Sequence, residues 1–128
     1  MSKRPIALAI GLVFLSVANA FAFDVTLASL KCENQHEVFG NDEILVEVFV
    51  DGIKTKEFRK DMRRGQTFSI EEKFTFTSNL RVVVYDTDNQ GKDRQELGSQ
   101  TMTSNGAGSA SLEGNFPGSD HRYILNWR

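Results

Sequence analysis

The residues best suited to chemistry stand where a hydrophobic run meets a set of carboxylates. Val82-Val83-Val84-Tyr85 leads straight into Asp86-Thr87-Asp88, and Asp93 and Glu96 follow. Carboxylates two apart at a strand end can turn toward one point. Hard oxygen donors of this kind suit calcium, which takes roughly six to eight oxygens at about 2.3–2.6 Å. Asn89, beside Asp88, adds a side-chain carbonyl. An EF-hand loop starting at Asp86 is excluded, because its last position needs a bidentate Glu and holds Leu97, and a strand precedes it. The same aspartates also suit a plain turn, since Asp bonds its own backbone. Clustered without a cation they repel one another, and one of them takes up a proton.

Other chemistry finds no support. A nucleophile needs a base and the base an orienting group, and the chain has two His, His36 and His121, with no Ser-His-Asp or Cys-His cue. It is read as no enzyme. One Cys and two His make no zinc site of the usual kind. His36 reads as a loop residue and His121 as a solvated start of the last strand. A net charge of −2 carries no nucleic-acid footprint. Asn105-Gly106-Ala107-Gly108 is a turn and not a phosphate cradle, because no helix follows it. One stretch is basic: Lys54, Lys56, Arg59, Lys60, Arg63 and Arg64 outweigh Glu57 and Asp61 by four charges. It reads either as a partner surface for a polyanion or anionic lipid, or as a solvated hairpin and loop whose lysines protect a sheet edge.

The elements that must position these groups are strands. Residues 1–20 read as a cleaved signal peptide: Lys3 and Arg4, an apolar run, then Ala18-Asn19-Ala20. The run is about twelve residues, short of the roughly 20 that span a bilayer. Its removal takes two basic residues and no acidic one, moving the net charge from −2 to −4. The expectation is an exported chain, periplasmic or secreted, with residues 21–128 as one domain. Export permits disulfides, yet Cys32 is the sole cysteine and reads as a small buried hydrophobe. From Phe23 on, alternation with period two is the repeated signal. Phe23, Val25 and Leu27 alternate, then Leu30 and Cys32 shift phase, which predicts a bulge. Ile44, Val46, Val48 and Val50 share a face, and Asp51-Gly52 predicts a tight hairpin with Ile53 to Phe58 as the returning strand. Further runs hold Phe68 to Phe76, Leu80 to Val84, Leu97 to Thr103, Ser109 to Leu112 and Tyr123 to Trp127. Eight short runs predict an all-β, eight-stranded antiparallel β-sandwich.

The strand–Asp-x-Asp–loop–Asp–Leu-Gly run resembles the second calcium loop of the C2 domain. Gly40-Asn41-Asp42-Glu43-Ile44-Leu45-Val46 is similar to that family's first calcium region, with Asp42 on a ligand Asp. Asp42-Glu43 and Tyr123-Ile124-Leu125-Asn126-Trp127 also resemble small exported bacterial C2-like modules. The pattern departs from the family at His36, where an Asp is usual, and at Asp93, which lies five residues before Gly98 rather than three. The resemblance implies a C2-like sandwich, a calcium set of Asp42, Asp86, Asp88 and Asp93, and no enzyme activity. It implies a binding module that presents a surface to a lipid, glycan or protein partner. The alternative is a metal-free protein–protein module, an inhibitor or envelope accessory factor.

Overall fold

The computed structural model describes residues 21–37, 39–88, 91–114 and 120–128. The leader 1–20 and Asn89 lie outside these. The described residues form eight strands: β1 (Phe23–Asn34), β2 (Asp42–Val50), β3 (Ile53–Met62), β4 (Thr67–Phe76), β5 (Leu80–Asp88), β6 (Asp93–Met102), β7 (Gly108–Glu113) and β8 (Arg122–Trp127). They make two four-stranded antiparallel sheets, ordered β4-β1-β8-β7 and β3-β2-β5-β6. The expected all-β sandwich is what forms.

Alternation explains the layers. Val25, Leu27, Leu30 and Cys32 of β1 meet Ile44, Val46 and Val48 of β2 and Val82 and Val84 of β5 in one buried core. Each fully buried aliphatic side chain there contributes about 1.5–3 kcal/mol. The phase shift in β1 is a bulge between Leu27 and Ser29, and it keeps Leu30 and Cys32 pointing inward. Asp51 and Gly52 take the positive φ values, 51° and 84°, that a two-residue hairpin demands. The strand after this hairpin runs on to Met62, so most of the basic stretch lies on β3, an outer strand of its sheet. His121 departs from its expected solvated place. It is 2% exposed, because its ring packs edge-on to His36 and Nε2 bonds the Leu97 carbonyl at 2.8 Å.

Candidate functional site

Antiparallel pairing throughout brings the ends of β1, β3, β5 and β7 to one end of the sandwich. Asp42 opens β2 there and Asp86 comes near the end of β5. Both are buried, at 0% and 3% exposure. Asp42 closes the 36–42 loop: Oδ1 accepts the Glu37 amide at 2.7 Å and Oδ2 the His36 amide at 2.6 Å. Oδ2 also accepts the hydroxyl of the buried Tyr123. A buried carboxylate needs donors of this kind, or its desolvation goes uncompensated. Asp86 accepts His36 Nδ1–H at 2.7 Å and the Glu43 amide at 3.0 Å. Gln35 steadies the same loop by donating to the Glu37 and Gly40 carbonyls, and its Oε1 accepts the Arg64 amide.

Charge crowding follows from this packing. Burial pushes the Asp86 carboxyl up, and the hydrogen bond from His36 opposes it. Glu37 is pushed up to about 7, by burial first and then by the charge of Asp86 and the contact with Asp88. Burial and Asp42 raise the Tyr123 hydroxyl, so it stays a donor. Burial likewise raises the Cys32 thiol, which fits its reading as a small hydrophobe.

Two sets of ligand atoms converge, each within 4.8 Å: His36, Asp42 and Asp86, and Glu37, Asp86 and Asp88. Of the four expected metal residues, Asp86 meets Asp42 in the first set and Asp88 in the second, and neither set holds all three. Asp93 faces Asp88 across the β5–β6 pair but joins neither set. The Glu37, Asp86 and Asp88 set fits calcium in kind, since all three are hard oxygen donors. The His36, Asp42 and Asp86 set fits it less well, because its nitrogen suits transition metals better. Asp42 already holds three protein donors, so it positions the loop.

The basic residues divide into two groups. Along β3, Lys54 pairs with Glu47 at 2.7 Å and with Glu57. Lys56 pairs with Glu72, and Arg59 lies 3.8 Å from Glu57. Burial pushes the Glu47 carboxyl up, but Lys54 and Arg94 outweigh it and hold it below its ordinary value. Lys60, Arg63 and Arg64, exposed at the end of β3 and in the turn after it, form no ion pair among the described residues. They stand at the acidic end. Phe39, in the 35–41 loop there, is 88% exposed.

Two solved structures share this fold. One is a C2 domain of plant Extended Synaptotagmin 1, with a TM-score of 0.54 at 12% identity over 83% of this chain and 91% of that one. The other is described as a C2 domain, with a TM-score of 0.55 at 13% identity over 83% and 94%. The fold is that of a C2 domain. No protein-family profile and no curated protein matches the sequence.

On this C2-like frame, sequence reasoning missed three members of the acidic end, His36, Glu37 and Phe39. His36 bridges to Asp86 across fifty positions, a distance that no local motif spans. Glu37 carried a weak signal as an acidic residue in the loop before Asp42. Phe39 carried another, as a bare aromatic beside Gly40, whose φ of 80° marks a turn.

Proposed function

We propose that this protein is an exported, non-enzymatic binding module that sets the acidic end of its C2-like sandwich against an anionic lipid surface, with calcium as its switch. One observation carries the reading. The carboxylates of Glu37, Asp86 and Asp88 converge at the end where Phe39 is bare and where Lys60, Arg63 and Arg64 have no ion pair among the described residues. Bound calcium would supply positive charge among these carboxylates. Asp86 and Asp88 present their oxygens from β5, and Glu37 reaches them from the loop that Asp42 closes. Asp93, facing Asp88, adds negative charge at the rim. Lys60, Arg63 and Arg64 would meet lipid phosphates, each basic residue contributing about 1 kcal/mol near an anionic surface. Phe39 offers an apolar tip to the interface. The ion-paired Lys54, Lys56 and Arg59 extend the basic surface along β3.

Co-sedimentation with phosphatidylserine vesicles tests this. Binding is expected with millimolar calcium, with loss on chelation and on Asp86→Asn with Asp88→Asn. Equal binding with and without calcium would overturn the switch, and no binding in either condition would overturn the lipid reading. A metal-free protein–protein module is the second reading. It is favoured by His36, whose Nδ1–H already answers Asp86, and by the three donors that Asp42 holds without any ion.

A further inference from the structure

The opposite end of the sandwich carries a second feature, independent of the acidic loops. The turn between β6 and β7 curls past Trp127 of β8 and leaves a cleft of about 220 Å³. Gln100, Thr103, Ser104, Asn105 and the half-buried Trp127 line it. No charged side chain is among its lining residues, in a chain of which 25% is charged. Gly108 makes the shape possible: a Cβ there would stand 2.5 Å from the indole ring. The ring therefore lies directly on the β7 backbone, and the side chain, packed against the core, remains partly open to solvent.

We propose that this cleft binds a neutral saccharide unit. A sugar ring has an apolar C–H face that stacks on an aromatic plane, and hydroxyls that both donate and accept. Trp127 supplies the plane, being apolar in body with one polar N–H. Asn105 and Gln100 each offer a carbonyl acceptor and amide donors, and Thr103 and Ser104 add hydroxyls. Gln100 lends one amide hydrogen to the Thr101 carbonyl at 3.3 Å, which leaves its own carbonyl and second amide hydrogen for a ligand. A charged ligand would lose hydration with no countercharge to replace it. A wholly apolar ligand would strip water from amides and hydroxyls and leave them unpaired. A neutral polyol with one apolar face meets both conditions. A few aromatic and polar contacts in an open cleft give weak, millimolar-range binding.

The chain has one tryptophan, so intrinsic tryptophan fluorescence reports on this cleft alone. Titration with glucose, galactose, N-acetylglucosamine and their disaccharides is expected to give a saturable change with at least one of them. Chelator should leave it unaltered, because the acidic loops lie at the other end. Glucuronate, which is charged, and sorbitol, which has no ring face, should give none. Asn105→Ala, in an exposed turn, should weaken binding about five-fold, the loss of roughly one hydrogen bond, with Tm unchanged. Asn105→Ala with Ser104→Ala should weaken it further. The proposal is overturned by a merely linear response to every neutral sugar, by an equal response to glucuronate, or by both variants titrating like the parent.

Discussion

At the scale of single residues, the acidic end is a problem in charge accounting that the protein solves in two ways. Asp42 is neutralised inward by two amides and Tyr123. Asp86 is answered by His36 and the Glu43 amide. Asp42→Ala leaves those donors buried and unpaired, so it should cost about 3 kcal/mol, read by denaturant melts. Tyr123→Phe removes one bond and keeps the carboxylate, so it should cost about half as much. Glu37 is raised by its acidic neighbours instead. Its pKa moves from an ordinary 4.5 to about 7, so between those values the folded chain holds its proton more tightly than the unfolded chain. Stability contributed at this site is then lost as pH rises from about 4.5 to about 7. Glu37→Gln should flatten that fall in thermal melts without calcium, and an unchanged slope would place the cause elsewhere. Asp86 and Asp88 were legible in the sequence because Asp-x-Asp after a hydrophobic run is a local pattern, and Asp42 through the resemblance of Gly40 to Val46 to a known calcium region. His36 and Glu37 were not, because their role arises only when the loop after β1 meets the end of β5 in the other sheet.

At the scale of elements, turns and bulges carried the clearest signals. Asp51-Gly52 was readable because positive φ at two successive positions restricts residue choice. Its further role was not readable, since Asp51 also accepts the Thr77, Ser78 and Asn79 amides of the next turn on the same end. The amides of Ser78 and Thr77 hold its carboxyl below the ordinary value of 3.8. Its stabilisation is therefore present above that value and lost as pH falls through the depressed one. Asp51→Ala should lower Tm near neutral pH, and the gap from the parent should close on acidification; a constant gap would sink the electrostatic account. The length of β3 escaped sequence reading for a different reason. An outer strand with alternating charges on both faces, as in Lys54 to Asp61, has no apolar side to declare it. Gly108 likewise looked like part of a turn. It opens β7 against the indole of Trp127, so Gly108→Ala should force that ring aside and cost about 1–3 kcal/mol, with a shift in tryptophan emission.

At the scale of the whole molecule, the chain joins two thin sheets through one core with no disulfide across them. The eight-stranded sandwich was legible because its inward faces alternate so regularly. The pairing order β3-β2-β5-β6 was not, because non-local register has no local sequence signal. The sheets are tied at the acidic end by polar contacts: β1's loop to β5 through His36 and Asp86, and β8 to β2 through Tyr123 and Asp42. A cation bound by Glu37, Asp86 and Asp88 would add a further tie between the two sheets at that point, replacing repulsion with attraction. Ligation to the folded state alone stabilises by mass action, about 2.7 kcal/mol when free calcium exceeds its dissociation constant about 100-fold. For a domain of this size that is a rise in Tm on the order of 10 °C. Differential scanning calorimetry at millimolar calcium should show such a rise, and chelator should reverse it. Asp88→Asn should abolish the rise while leaving the metal-free Tm nearly unaltered, because Asp88 is exposed and its loss removes charge rather than packing. Magnesium should do little, since it demands tighter octahedral geometry and gives up water reluctantly. An identical Tm with calcium and with chelator would leave the His36–Asp86 and Tyr123–Asp42 contacts as the whole tie at that end, and the metal-free reading would stand.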